Sequence, residues 1–506
     1  MYSSSSPVSL LLPISILIIG TAVAFTCDKF LNDSFFAYGS TSMEANLTEV
    51  ELGPHLTDQN LKLELVVEGL KRPTSMAFLG QDDILILEKN RGTVKRIVNG
   101  NILEPPLLDI EVANEKERGM LGIAVLSISP LNNEKDNTTI PERGIAPTYV
   151  FLYFTESSGE DGIDECPLVN YCEEGTKPQG NRLYRYGFEE GKLVNSKLLL
   201  DLPASPGSDH IGGAVTVGPD RNIYLTSGDG HSCSYNSCDN GIENTVLNSQ
   251  NLNVENGKLP NGRGGILRIT EDGLAVREGE NEKHFDKDNI SHKYYAYGIR
   301  NSFGIDFDPL SGKLWDTENG PAFGDEINLV ESGFNSGWLK IQGLWPITNY
   351  TLLLPQLPVS PYRGYIVNDK SELIRSAEAT KINLVDFGRI SRYSDPEFTW
   401  NITVGVTALK FLNSNKLGEK YENDMFVADY NYGRLYHFDL DEDRTSLILD
   451  KSLSDKIAHS SERDDLKTVI FGEGFDAITD VEVGPDGYLY VVSHKDGKIF
   501  RIVPTG

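Results

Sequence analysis

Short alternating runs of apolar and polar residues, turns rich in Gly, Asp and Asn, and a strand–turn–strand unit that recurs six times predict an all-β chain, a six-bladed β-propeller with long loop insertions. The alternation begins at about Leu61 and has the two-residue period of strands. Few segments carry a helical period, and Leu409 to Tyr421 is too short and mixed to be read as a helix. In the recurring unit, a strand ending in an aliphatic–aromatic pair is followed by a turn. A strand of the form Gly-x-Leu/Ile/Val-x-Arg/His-hydrophobic then completes it.

The copies are ILILEKNRGTVKRI (84–97), VFLYFTE with NRLYRYGF (150–156, 181–188), IYLTSGDG with GRGGILRI (223–230, 262–269), KLWDTENG (313–320), MFVADYNYGRLYHF (425–438) and YLYVVSHKDGKIFRI (488–502). Three turns just upstream, VGPDRN, FDPLSG and VGPDGY, share a Gly/Asp-Pro element. A four-stranded blade cannot bury both faces alone, so neighbouring blades must cover one another around a ring. A pair of β-sandwiches is the competing arrangement, and the number of copies argues against it.

Before the strands, Leu10 to Phe25 is the only long apolar run, and no Lys or Arg precedes it. Ala22-Val23-Ala24 has the small-x-small form of a signal-peptidase site. The run is near the lower length limit for a bilayer span. Residues 1–26 are therefore expected to be a signal peptide or an N-terminal membrane anchor, 27–60 a polar linker, and 61–506 the propeller. Either form of leader places the remainder outside the cytoplasm, secreted or anchored to the outer face of the cell membrane.

The cysteines agree. Cys166 with Cys172 and Cys233 with Cys238 form two close pairs in polar loops, read as two local disulfides, with a metal site as the competing reading. Cys27 is left over. Six Asn-x-Ser/Thr sequons, at Asn32, Asn46, Asn137, Asn289, Asn349 and Asn401, are usable only on a glycosylating export route.

At 506 residues the chain is far beyond the size at which one simple core stops growing. Its 39% hydrophobic and 24% charged content is that of a soluble globular protein. A formal charge of −28 repels nucleic acid and anionic lipid, so neither is an expected partner, and membrane contact is expected only through the N-terminal segment.

Two stretches concentrate polar chemistry. Tyr297 to Trp338 places Arg300-Asn301, Gly320-Pro321 and Asp325-Glu326 around one hairpin pattern. Arg300 can hold an anion or a carbonyl. The Gly-Pro turn leaves backbone oxygens for a hard cation, and the two acids supply the carboxylates such an ion prefers. Ser208 to Gly230 places Asp209-His210 just before Gly212-Gly213 and a strand. A His at the channel end of an innermost strand, with an adjacent carboxylate, is placed to act as a general base.

The segments ERGMLGIAV (117–125), DHIGGAVTVGPDRNIYLTSGDG, GRGGILRI, YAYGIRNSFGIDFDPLSGKLWDTENGPAFGDEINLVESGFNSGW and VGPDGYLYVVSHKDGKIFRI resemble the soluble glucose/sorbosone dehydrogenase family over about residues 62–503. These are six-bladed propellers that oxidise aldose sugars with pyrroloquinoline quinone and calcium. The resemblance implies that His210 takes the proton from the sugar's anomeric hydroxyl and that Asp209 orients it. Arg300 would contact the quinone oxygens, with Asn301 beside it and Glu117 near the cofactor. The carbonyls of Gly320 and Pro321 would hold the calcium at the cofactor. Glu326 and the backbone near Ser336 match a second, structural calcium site.

The chain also departs from that pattern. The family meets the cofactor's three carboxylates with a Lys and two Arg. Here those positions are Asn431, Ala477 and Thr479, with Arg434 three residues beyond Asn431 as a possible substitute. Charge-assisted bonds to carboxylates are strong and not easily replaced by Ala or Thr. The expected function is an extracytoplasmic oxidoreductase acting on an aldose or polyol, with an electron acceptor the sequence does not name. The alternative is a non-catalytic ectodomain that binds a glycan or protein.

Overall fold

The computed structural model describes residues 53–127, 147–159, 177–204, 208–230, 260–277, 285–321, 323–338, 342–344 and 392–506. The N-terminal leader, all five cysteines and the sequons at Asn32, Asn46, Asn137 and Asn349 lie outside the described residues.

Two strands open the described chain, β1 (His55–Leu56) and β2 (Leu61–Glu68). Six sheets follow. Blade one is β3 (Pro73–Gly80), β4 (Asp83–Glu88), β5 (Thr93–Val98) and β6 (Asn101–Asp109). Blade two is β7 (Met120–Ser127), β8 (Thr148–Ser157), β9 (Pro178–Glu189) and β10 (Lys192–Leu202). Blade three is β11 (Val215–Val217), β12 (Ile223–Ser227), β13 (Gly265–Ile269) and β14 (Tyr294–Tyr297).

Blade four is β15 (Ser302–Phe307), β16 (Leu314–Glu318) and β17 (Asp325–Val330), completed, after the short β18 (Phe334–Asn335), by β19 (Phe398–Trp400). Blade five is β20 (Val406–Phe411), β21 (Met425–Asp429) and β22 (Leu435–Leu440). After β23 (Leu447–Ile448) and β24 (Ile457–Ala458) it is completed by β25 (Ile470–Glu473). Blade six is β26 (Ile478–Val483), β27 (Leu489–Ser493) and β28 (Lys498–Pro504).

Its fourth strand is β2, which pairs antiparallel with β28 from Leu61↔Pro504 to Glu68↔Lys498 and so joins the two ends of the ring. Strand pairing starts still earlier, inside the stretch expected to be linker, because β1 adds to β25 of blade five. Among the described residues the only α-helix is the four-residue turn Arg463–Leu466.

The six-bladed propeller is therefore the architecture found. Each sequence copy marks the middle of a blade: its first part is the blade's second strand and, where a second part exists, that part is the third. The second strands are buried almost throughout. In β4, Ile84 and Ile86 enter the core between blades six and one, while Leu85 and Leu87 enter the core between one and two. In β27, Leu489 and Val491 face blade five, and Tyr490 and Val492 face blade one.

Six apolar clusters result, one at every junction between neighbouring blades. Repetition of period-two strands buried on both faces gives the ring its stability. Five of the six innermost strands carry a register shift near the start, at Pro73/Met76, Met120/Gly122, Ser302/Gly304, Val406/Ala408 and Ile478/Asp480. Such bulges kink a strand and re-aim its side chains. The loops at these kinked ends carry the polar residues described next.

Candidate active site

The start of each innermost strand and the end of its antiparallel neighbour lie on one face of the ring. Glu117 precedes β7, Asp209 and His210 precede β11, and Asp229 follows β12. Arg300 and Asn301 precede β15, and the Gly320-Pro321 turn follows β16.

His210 is buried, and its backbone is left-handed at φ 57. A non-glycine residue held there is a local constraint maintained by its surroundings. Gly228 makes room for it, since a Cβ at 228 would collide with the His210 carbonyl. His210 Nδ1 lies 2.7 Å from Asp229 Oδ1, and the other Asp229 oxygen accepts Trp338 Nε1–H at 2.7 Å. Burial, then the Arg300 guanidinium, holds the imidazole well below its ordinary pKa, so the ring is neutral near pH 7. A neutral imidazole that gives its Nδ1 proton to a carboxylate carries its lone pair on Nε2, the form a general base requires.

This corrects the expected orienter. Asp209 faces the other way and pairs with Lys116 Nζ at 2.7 Å. The Nδ1 that Asp209 was expected to hold is taken by Asp229 Oδ1. Sequence reasoning missed Asp229 and Trp338, although both lie in the two stretches it singled out. The usable signal was topological: Asp229 ends a second strand, on the same face of the ring as the start of the first.

Glu117, Asn301 and the Gly212 backbone form a second buried network. Glu117 Oε2 accepts Ile211 N and Asn301 Nδ2, each at 3.1 Å, and Asn301 Oδ1 accepts Gly212 N at 3.1 Å. Burial, with the Asp209 charge added, pushes Glu117 up to about 7. Arg300 is tied at its backbone N to Glu318 Oε1 (2.6 Å) and through Nη1 to the Asn319 carbonyl (2.8 Å). Its guanidinium carbon lies 5.3 Å from the Trp338 ring centroid, within cation–π range. Its buried Nε has no hydrogen-bond partner among the described residues. The structure thus brings together His210, Glu117, Arg300 and Asn301.

The Gly320-Pro321 turn is fixed by Asp325. Its Oδ1 accepts Gly320 N at 2.8 Å, and its Oδ2 accepts Val404 N (2.8 Å) and Gly405 N (2.7 Å) of blade five. A Cβ at Gly320 would strike the Phe323 carbonyl, so the turn requires glycine. Asp325, suggested by sequence as a cation ligand, is instead used up in anchoring the turn.

The register of β16 and β17 sets Asp316 opposite Asn328 and Glu318 opposite Glu326, all on one sheet face. The three carboxyls are buried, and burial pushes Asp316 to about 7, Glu326 to about 8 and Glu318 well above the usual range. Ser336 Oγ donates to Glu318 at 2.6 Å, and Gln342, Gly343 and Asn328 donate to Glu326. Neither oxygen of Asp316 has a partner of good geometry among the described residues. Three buried carboxyls crowded on one sheet face fit a hard divalent cation such as Ca2+.

The positions where the resemblance expects three cations do not fit a tricarboxylate. Ala477 is buried with φ 66, Thr479 Oγ1 donates to the Pro73 carbonyl at 3.0 Å, and Asn431 is exposed. Arg434 is no substitute, because Nη1 donates to Ser461 O at 2.7 Å and Nε lies 3.4 Å from Glu473. His494 nearby, bonded to Pro73 O at 2.8 Å, is held near 3 by burial, with Arg72, Lys89 and Lys495 contributing.

Fold and site together define a six-bladed propeller with a buried imidazole–carboxylate centre and a carboxylate cluster on one face of its ring. The chain belongs to the glucose/sorbosone dehydrogenase family, whose model matches residues 70–345. It is 28% identical over 465 residues to quinoprotein glucose dehydrogenase B of Acinetobacter calcoaceticus, covering 87% of each chain. It is 22% identical over 454 residues to the aldose sugar dehydrogenase YliI of Escherichia coli, covering 88% of this chain and 93% of that one. The crystal structure of the apo soluble aldose sugar dehydrogenase of Escherichia coli superposes with a TM-score of 0.56 at 18% identity, over 88% of this chain and 99% of that one. That likeness is one of fold. Among the described residues no helix is long and apolar enough to cross a membrane.

Proposed function

We propose that the chain is a sugar dehydrogenase-type oxidoreductase that converts a hydroxyl of an aldose or polyol to a carbonyl. The carrying observation is the 2.7 Å contact of His210 with Asp229 in a buried, neutral imidazole centre. His210 takes the hydroxyl proton on Nε2. Asp229 holds the ring and balances the imidazolium that forms. A two-electron acceptor of the quinone class, held beside Arg300 and Asn301, would supply the sink for the hydride that leaves the same carbon. Arg300, stacked on Trp338, faces the negative charge that develops.

Family membership supports this reading. Ca2+ is the cation that suits the Asp316, Glu318 and Glu326 cluster, and the Gly320 and Pro321 carbonyls are the further expected ligands. Action outside the cytoplasm is supported by the apolar leader and the paired cysteines. A second reading, a propeller that binds a glycan or protein without chemistry, is favoured by Ala477, Thr479 and Asn431 at the expected cation positions.

The test is reduction of a dye acceptor by purified protein given Ca2+, pyrroloquinoline quinone and a panel of aldoses and polyols. Sugar-dependent reduction that His210→Ala removes is expected. No reduction with any sugar, in protein shown to hold the quinone, would move the function to the binding reading.

A further inference from the structure

The fifth blade carries a polar group at the opposite end of its strands from Asp429 and Asn431. Strands β21 and β22 pair antiparallel through Met425↔Phe438 and Phe426↔His437. One step beyond the first of these pairs, Asp424 and Asp439 stand opposite each other, on the face that carries His437. His437 Nε2 lies 2.9 Å from Asp424 Oδ2 and 3.5 Å from Asp439 Oδ1.

The imidazole is fixed from several sides. Tyr421 meets it edge-on at 5.0 Å between centroids, with Phe426 at 5.2 Å and Phe471 at 6.2 Å. Its backbone N donates to Val469 O at 2.8 Å, and the Asp424 carbonyl accepts Leu412 N at 3.0 Å.

Like charges directly opposite on neighbouring strands are destabilising. One Nε2–H can answer only one carboxylate, and 3.5 Å is too long for a second bond. A single cation would answer both.

The spacing fits one. The three ligand atoms lie within 4.8 Å of one another, with Nε2 at 2.9 and 3.5 Å from the two oxygens, and donors at about 2.0–2.2 Å from a tetrahedral ion stand roughly 3.3–3.5 Å apart, so small side-chain shifts would seat an ion. A ligand set of one imidazole nitrogen and two carboxylate oxygens suits Zn2+ and its neighbours, whereas Ca2+ takes oxygen alone. The Asp439 side chain is 54% exposed, so a fourth position can take water.

We propose that Asp424, His437 and Asp439 bind a divalent transition-metal ion of the Zn2+ class, tying the β21 and β22 strand ends together. The site stands apart from the centre at His210 and does not depend on the proposed chemistry there.

The test uses Co2+ as probe on the full-length chain, with Ca2+ in excess to occupy all-oxygen sites, and compares the natural chain with Asp439→Asn and His437→Ala. Loss of a metal ligand should cost at least as much as loss of a supporting partner, roughly 10–100-fold in affinity. The expected result is a visible ligand-field spectrum and a saturable binding step, weakened to that degree by Asp439→Asn and abolished by His437→Ala. Asp439→Asn, on an exposed side chain, carries the test alone should His437→Ala misfold. Absence of binding, or binding equal in the natural chain and Asp439→Asn, overturns the proposal and, in the second case, places the ion elsewhere.

Discussion

Trp338 Nε1 and His210 Nδ1 hold the two oxygens of Asp229, each at 2.7 Å. The carboxylate is thereby used as a two-sided hinge. One oxygen fixes the tautomer of His210, and the other fixes an indole whose face lies under Arg300. One carboxylate thus links the His210 imidazole to the Arg300–Trp338 stack, the two halves of the proposed site.

Asp229→Asn should damage turnover much more than Asp209→Asn. An amide has one acceptor where the site uses two, so either the His210 tautomer or the Trp338 bond is lost. A fall in kcat of roughly 10²–10⁴-fold is expected, as for a displaced general base. Asp209→Asn removes a half-exposed pair with Lys116 and one charge acting on Glu117 and His210, and should change kcat by a few-fold at most. Equal losses in the two variants would return the orienting role to Asp209. In the natural chain the acid limb of kcat/KM should lie below about 6.5, because the neutral imidazole is favoured by burial and Arg300.

Calcium and pH should act together on stability through Asp316, Glu318 and Glu326. Their folded pKa values lie above the ordinary range, so in chelator the protonated forms favour the native state. That contribution is complete below about pH 4, and it is lost as pH rises through about 7 and 8. The melting temperature in chelator should therefore fall from pH 5 to pH 8.5, and Ca2+ should oppose the fall by binding the ionised cluster. Asp316→Asn should stabilise the chelated protein at pH 8 by roughly 1–3 kcal/mol while reducing the gain from Ca2+. Melting curves that do not respond to Ca2+ at any pH would reject a cation there.

Much of this was legible in the sequence. The copies of the strand unit mark the second strand of every blade, because that strand is buried on both faces, and in five blades the third strand with it. The closing strand β2 was harder to see, since its partner lies at the far end of the chain, and its exposed residues weaken the apolar pattern. His210, Arg300 and Asn301 stood out because they sit at loop positions beside Gly turns, whereas Glu117 entered through the family resemblance alone. Asp229 and Asp316 were not, because their role depends on which strand faces which. Asp316 reads as one more polar residue until the register sets it on the face of Glu318.

Glycosylation should separate two sequons that look alike in sequence. Asn289 is exposed and caps a short turn by accepting Ser291 N. Asn401 is buried, and its Nδ2, the atom a glycan would need, donates to His459 O at 2.9 Å. Peptide mapping of protein secreted from a glycosylating host should find glycan at Asn289 and an unmodified Asn401. Full occupancy of Asn401 would contradict the packing of β19 against β24.

Binding of pyrroloquinoline quinone should be weak, and two substitutions should strengthen it. Each missing charge-assisted bond to a carboxylate forfeits roughly 1.5–3 kcal/mol, so two lost arginines account for about 10²–10⁴-fold in affinity. Ala477→Arg adds no backbone penalty, because Ala477 already holds a Cβ at φ 66. Thr479→Arg gives up only the hydroxyl bond to Pro73 O. The double variant should bind the quinone tighter than the natural chain in an optical titration, by a factor approaching that range. Submicromolar binding by the natural chain would mean that other cations answer the carboxylates. Arg72, Lys89 and Lys495 around His494 would then be the first to replace. No gain in the double variant would leave the quinone without a site at blade six and favour the binding reading of the fold.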